Sequence, residues 1–508
     1  MAGRETAARR KRSQESQKAA LAALLQKIDV FSNQTKDSVS VLGGTTNVMY
    51  WESILSDSVR ATVTFTDAGN TMSKTNRRGR RTTAKKVSAV EGLPITGSEE
   101  VYLKFTDNHG NTLDFSEKNN NSLFVNQLFP LATGSETTDK SYIIDLAPLE
   151  WITNEKGGQQ VRKVFSGQIS DHVETILKDV LKTEKKLDIE ETKSTLDFCG
   201  NNTKPYYTLN DLSTKAVSQS QGEGATAGYF FWETSNSYHF KSIDSLMGQG
   251  FKKKILYNET SESVPPPYNA KALSLETNNK VNVQKKLEMG AYSNRFLGFN
   301  PFTAVWTNSL TEAEKNERDD MIELAGDNLP ELNKRFNKDE ADTEYSWTSL
   351  QFNSTGQLNV GNIEDQLNKS KDINFNAEKI FNQSKMRYNQ LFASQVIVVI
   401  PGDFSLHAGD SVWFDMPQID VTQNKACGDE VNRETGGSYL ITDLCHYITA
   451  SDTYTKLVLT RDSFGRKGSP DRKKGVLVKT MGGVDLNPSN MTKEEIYEGV
   501  PKSSGSNF

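Results

Sequence analysis

Five histidines and three cysteines are the side chains of this 508-residue chain best suited to metal or nucleophilic chemistry. His109, His172, His239, His407, His446, Cys199, Cys427 and Cys445 form no CxxC, HExxH or His-x-His grouping that would preset ligands around an ion. Cys445-His446 comes nearest to a thiol–imidazole pair. Neighbouring residues of a strand point to opposite faces, so these two cannot act on each other, and a packed Cys beside a rim or surface His is the simpler expectation. Gly248-Gln249-Gly250, followed by Lys252, Lys253 and Lys254, echoes a phosphate loop but lacks the further glycines and a helix cap. There is no Walker loop and no G-x-S-x-G elbow. With 65 acidic residues, any carboxylate pair chosen as a glycosidase dyad would be arbitrary. The expectation is a non-enzymatic chain with no catalytic residues, no cofactor and no metal, whose information lies in its architecture.

One charged cluster stands apart. Lys74, Arg77, Arg78, Arg80, Arg81, Lys85 and Lys86 fall within thirteen residues that hold no acid. Such a run is either a solvated loop tip or a clamp on an acidic partner surface or on passing DNA. No aromatic is interleaved, so stacking on single strands is not indicated. Between residues 312 and 344, twelve Asp or Glu stand against five Lys or Arg, net −7. The two segments are opposite in sign, which makes a contact between neighbouring chains conceivable. The whole chain carries only −5, so neither nucleic acid nor membrane is indicated by the total. No apolar run approaches the roughly 20 residues needed to span a bilayer, and no membrane anchor is expected. The polar N-terminus, with Arg4, Arg9, Arg10, Lys11 and Arg12, lacks the apolar core of a secretory signal. Three dispersed cysteines fit assembly in a reducing cytosol.

The elements that position these residues form a pattern that occurs twice. Leu93-Pro94-Ile95-Thr96-Gly97-Ser98-Glu99 leads into Val101-Tyr102-Leu103-Lys104-Phe105, then Leu123 to Leu128 and Ser141 to Leu146. About 300 residues later, Ile400-Pro401-Gly402-Asp403 and His407-Ala408-Gly409-Asp410 lead into Val412-Trp413-Phe414, then Tyr439 to Leu444 and Tyr454 to Arg461. A Pro/Gly turn, a Gly-acid corner and period-two strands suit a small β-barrel, and the recurrence predicts two related barrels in one chain. The fold class is then mainly β with an α+β insert, plus extended polar termini.

Six segments follow from this pass. Residues 1–36 are a basic arm and an amphipathic helix in which Leu21, Leu24, Leu25 and Ile28 share one face, packed on its own chain or docked on a neighbour. Residues 37–155 are the first tube-like barrel. Residues 156–290 are the α+β insert, with a helix on Ile169, Val173, Ile176, Leu177 and Val180 and a hairpin at Tyr229 to Lys241. Residues 291–374 hold a strand and the acidic helical or loop region. Residues 375–466 hold a helix and the second barrel. Residues 467–508 are a polar tail that is either disordered or ordered on a partner.

Three stretches carry a resemblance to a known family. The segment Tyr50-Trp51-Glu52-Ser53-Ile54-Leu55-Ser56-Asp57-Ser58-Val59-Arg60-Ala61-Thr62-Val63-Thr64-Phe65 resembles the opening of the baseplate central hub protein of contractile-tailed phages (myoviruses), most closely the versions of marine cyanophages. Phe230-Phe231-Trp232-Glu233-Thr234 with Tyr238-His239-Phe240-Lys241 is similar to its middle segment. Gly437 to His446, Tyr454 to Leu457 and Arg461-Asp462-Ser463-Phe464 are similar to its later part. The likeness runs in order over about residues 40–466.

The resemblance implies a homotrimer whose two barrels per chain make a pseudo-sixfold ring. That ring would join a hexameric tail tube, or tube-initiator proteins, above to a trimeric spike below and form part of the DNA exit channel. Surrounding baseplate wedge proteins are further possible partners, and DNA is met only in passage. The implied location is the virion tail baseplate, assembled in the host cytoplasm. The resemblance implies no role for the basic arm, the acidic region or the polar tail.

Three other readings compete. A hub or spike component of a non-viral contractile injection system shares the architecture. A hub-associated peptidoglycan hydrolase lacks a catalytic grouping here. A carbohydrate-binding adhesion protein would need Trp232 and Tyr238 exposed for stacking on sugar.

Overall fold

The structure, a computed structural model, describes residues 23–463 apart from 35–36, 68–71, 77–80, 132–139, 220–226, 258–263, 265–266, 279–282, 292, 301–304, 313–346, 353–376, 393, 417–431 and 433–434. It is mainly β. The first barrel comprises β1 (Leu24–Phe31), β2 (Asp37–Ser40), β3 (Thr45–Ser53), β4 (Arg60–Asp67), β5 (Met72–Asn76), β6 (Arg81–Val87), β7 (Glu100–Thr106), β8 (Thr112–Phe115), β9 (Leu123–Pro130) and β10 (Lys140–Pro148). Its strands run β6-β5-β2-β1-β7-β9-β10-β4-β3, with β8 folded back on β7. Apolar residues at every second position supply the core: Ala61, Val63 and Phe65 of β4 meet Leu103, Phe105, Val125 and Ile144.

The helix expected over Leu21, Leu24, Leu25 and Ile28 is not there from Leu24 onward; β1 takes its place. Leu24 is exposed, Leu25 packs partly against the core, and Ile28 and Val30 are buried in it. Leu21 lies outside the described residues. The period-two run Ile28-Asp29-Val30-Phe31 wins because β2 and β7 offer ladders on both edges and β-branched side chains fit a pleated surface. The first barrel therefore starts before residue 37.

The insert carries β11 (Val164–Phe165), β12 (Lys186–Ile189), β13 (Phe198–Cys199), β14 (Tyr229–Glu233) and β15 (Ser237–Ser242). Helix Ile169–Thr175 continues through a π turn at Ile176–Val180, and Pro205 opens helix Pro205–Ser213 at a position where its missing N–H is harmless. Their apolar faces close on Tyr229, Phe231, Tyr238 and Phe240 as a separate core.

Next come β16 (Lys253–Tyr257), β17 (Ala270–Ala272) and β18 (Ser274–Asn278). A three-stranded sheet follows, of β19 (Ser293–Asn300), β20 (Val305–Glu312) and β21 (Trp347–Phe352), and then helix Ala377–Leu391. The chain continues as β22 (Ser394–Pro401), β23 (Ser411–Asp415), β24 (Gly437–Thr449) and β25 (Thr453–Arg461). The second barrel is a closed ring. β16 pairs with β23, β23 with β24, β24 with β25, β25 with β22 and β22 with β18, while β17, one residue before β18, returns to β16. Residues 253–278, read from sequence as part of the insert, complete this barrel. They contribute Ile255 and Ala272 to its core, beside Val398, Phe414, Ile441 and Leu457.

Four strands of the first barrel recur in the second in the same order and register, although β1 pairs with β7 antiparallel where β16 pairs with β23 in parallel. In the first, β4 pairs with β10, β10 with β9 and β9 with β7; in the second, β22 pairs with β25, β25 with β24 and β24 with β23. Val63 sits opposite Ile144 as Val398 sits opposite Leu457, and Val101 opposite Leu123 as Val412 opposite Tyr439. Both ladders slip by one residue at the same place, skipping Asn126 in β9 and Thr442 in β24. The corner before the repeat's second strand is shared too. Ser98 N donates to Val125 O (2.7 Å) and Val125 N to Glu99 O (2.9 Å); Gly409 N donates to Ile441 O (2.8 Å) and Ile441 N to Asp410 O (2.9 Å). Ser98 and Gly409 both have positive φ, 62° and 90°. In each corner the acid accepts a backbone N–H from three residues earlier, Thr96 to Glu99 and His407 to Asp410, both at 2.7 Å.

Candidate functional site: the junction between the barrels

A single strand belongs to both barrels. β24 is thirteen residues long; its first part pairs with β23, and residues Asp443–Thr449 run on to pair with β3 of the first barrel, from Asp443 opposite Ser53 to Thr449 opposite Asn47. Beneath this ladder lies a buried polar cluster. The fully buried Glu52 carboxylate accepts from Tyr50 Oη (2.8 Å), Ser235 N (2.9 Å) and Ala408 N (3.0 Å), and His407 Nδ1 lies 3.1 Å away. First barrel, insert and second barrel thus converge on one carboxylate. Burial by itself would raise Glu52, but the facing imidazole and the amide donors outweigh it and hold the carboxyl down to about 2. Burial opposes protonation of His407 as well, yet the Glu52 charge prevails and raises it.

His446 sits on the same ladder with the reverse of its expected placement. It is fully buried, packed on Tyr50 and Phe404, with Nδ1 at 2.9 Å from Thr455 Oγ1, while Cys445 points the other way and is half-buried. Burial pushes His446 down to about 3 and the Cys445 thiol up to about 11, so neither is a reactive group.

A second cluster fastens the insert to the first barrel. Lys185 Nζ, almost fully buried, lies 2.9 Å from Glu150 and 2.5 Å from Glu233, and Val59 N donates to Glu233 (3.2 Å). Two carboxylates share one ammonium. Burial raises Glu233 to about 7, helped by the charge of Glu150, whereas Glu150 is drawn below its usual range because Lys185 and Thr183 outweigh its own burial. A third ion pair, Arg387 to Asp244 at 2.6 Å, ties helix Ala377–Leu391 to the insert.

Trp232 and Tyr238 are 2% and 0% exposed; Trp232 stacks on His239 and donates Nε1–H to Ala408 O (3.1 Å). Trp232 holds the insert to the second barrel and Tyr238 packs inside the insert's own core, its Oη 2.9 Å from Tyr206 Oη, so neither presents a face to a sugar. The lysines after Gly248-Gln249-Gly250 are likewise engaged: Lys252 pairs with Asp410 (2.8 Å) and Lys253 with Asp403, with burial bringing Lys253 down to about 8. Among the described residues no group of three or more His, Cys, Asp or Glu is placed to hold a metal ion, and no helix is long and apolar enough to cross a membrane.

The basic run is built differently from a loop. Lys74 lies in β5, and Arg81, Lys85 and Lys86 lie in β6, two strands that pair with each other and extend the first barrel past β2. Arg77, Arg78 and Arg80, at the tip, lie outside the described residues, as do the acidic 313–346 segment, the arm before residue 23 and the chain after residue 463. Sequence reasoning missed Glu52, His407, Glu150, Lys185 and Glu233 as a set. Glu52 and His407 are 355 positions apart, and no local pattern joins them.

No protein-family model matches the sequence, and neither does any curated protein. Among solved structures, the chain is similar to a 43 kDa prophage MuSo2 tail protein of Shewanella oneidensis, at 8% identity over 86% of this chain and 99% of that one, with a TM-score of 0.46. It is similar to a tail protein of Neisseria meningitidis at 7% identity, over 86% and 96% of the two chains, with a TM-score of 0.45. It is also similar to a type VI secretion system component of E. coli at 8% identity, over 88% and 80%, with a TM-score of 0.39.

Proposed function

We propose that this chain is the structural central hub of a contractile-tail baseplate. Three copies would place six equivalent barrels in a ring, matching a hexameric tail tube on one face and a trimeric spike on the other. The ring would enclose part of the DNA exit channel. One observation carries the reading: four strands of the two barrels share order, register, β-bulge and corner hydrogen bonds. A repeat of that fidelity lets threefold material present sixfold contacts. The sequence resemblance of residues 40–466 to hub proteins, cyanophage versions included, points to the same role. The buried clusters serve rigidity, since each joins two or three units and none opens a reactive group to substrate. The chain acts in the virion by geometry, without catalysis, and its basic hairpin is a contact for an acidic neighbour or for DNA. The same geometry suits the hub of a non-viral injection apparatus; phage capsid genes or a secretion cluster beside the gene separate the two.

The test is the mass of the purified chain in solution, with and without its spike partner. The reading expects three times the 56.6 kDa of one chain. A stable monomer under all conditions overturns it.

A further inference from the structure

The repeat has a partner in the first barrel and leaves the same place open in the second. β24 continues past its bulge and lays Asp443–Thr449 against β3 of the same chain. Its counterpart β9 also continues past its bulge. Beyond Phe124, however, the only strand ladder of β9 among the described residues is with β10. Leu131 N donates to Ser141 O (2.8 Å) on the β10 side, so Leu128 and Pro130 turn their backbone groups to the open edge. Phe129 and Leu131 at this edge are 46% and 39% exposed.

The counterpart of β3 is β18: Val48 lies opposite Val63 as Leu275 lies opposite Val398. On its far side β3 carries β24, but the only strand ladder of β18 among the described residues is with β22. Ser274, Glu276 and Thr277 are exposed, and Leu273 beside them is 46% exposed.

Resting on the hub reading, we propose that the open edge of β9 docks on the open edge of β18 of a second copy of this chain, antiparallel, repeating between chains the β24–β3 ladder made within one. Carrying the internal register across sets Leu131 opposite Glu276 and Phe129 opposite Asn278, as Tyr447 is opposite Met49 and Cys445 opposite Trp51. The contact is heterologous, so it propagates from chain to chain and ends when a ring closes. Pro130 has no N–H, which shortens this ladder relative to the internal one and keeps free edges from pairing indiscriminately.

Disulfide trapping tests it. In a chain whose Cys199, Cys427 and Cys445 are replaced by Ser, Leu131→Cys with Glu276→Cys is oxidised and run on a non-reducing gel. Directly opposed, non-hydrogen-bonded positions of an antiparallel pair are close enough for a disulfide. The expected result is covalent dimers and trimers carrying most of the protein, with neither single variant doing so. Met49→Cys with Tyr447→Cys, the internal equivalent, should close within one chain and leave the mass unchanged. A trimer of correct mass that closes the internal pair but never the Leu131/Glu276 pair overturns the edge assignment and leaves the hub reading standing. A chain that stays monomeric overturns both, on mass alone.

Discussion

Glu52, His407 and His446 make the junction sensitive to pH from both sides. His446, held down to about 3, contributes stability that is whole above its ordinary value and is lost as pH falls through the folded one. Glu52 is lost on the same side, only near pH 2. His407, raised by Glu52, contributes below its ordinary value and loses that contribution as pH rises through the folded one; Glu233, raised to about 7, acts in the same sense. Thermal stability should therefore peak in the mildly acidic range and decline above neutrality, and His407→Gln should flatten the alkaline limb. A melting temperature that climbs steadily from pH 6 to pH 9 would contradict the assignment. Lys185 gives a second test by chemical unfolding at pH 7. Lys185→Met strands two buried carboxylates and should cost about 3–5 kcal/mol. Glu233→Gln keeps the shape of a group already poised to be neutral and should cost clearly less. Equal losses would show that the cluster does not share charge as described.

At the scale of elements, much was readable because strands announce themselves locally. Arg60-Ala61-Thr62-Val63-Thr64-Phe65 alternates and is β4; the helix expected within residues 375–466 runs Ala377–Leu391. The repeated Gly-acid corners were legible as motifs, and the structure gives their cause in the left-handed Ser98 and Gly409. What failed were choices made by tertiary partners. β1 was hidden under a helical spacing, and β16 to β18 complete a barrel whose remaining strands come more than a hundred residues later. The corners also predict an asymmetry. A Cβ on Gly409 would lie 2.5 Å from Trp232 Cζ2 in a conformation unfavourable to side chains, so Gly409→Ala should destabilise by about 1–3 kcal/mol. Ser98→Gly, at the matching position, should stay within about 1 kcal/mol of the parent in urea unfolding. Similar effects of the two would mean that the corner tolerates any residue.

Taken whole, the molecule consists of two barrels built on one repeated strand set and joined through a shared strand, with buried ion pairs fastening the insert to the first barrel and helix Ala377–Leu391 to the insert. Such pairs are poor sources of net stability, since desolvation offsets their attraction, but they penalise any other arrangement of the units. That suits the hub role proposed above. The most direct measurement is an end-on cryo-electron microscopy average of the purified oligomer. It should show six barrel-sized densities around a central opening, threefold by strict symmetry and sixfold by eye. Two barrels standing alone, or pairs that never close a ring, would contradict the idea that one doubled barrel lets three chains act as six.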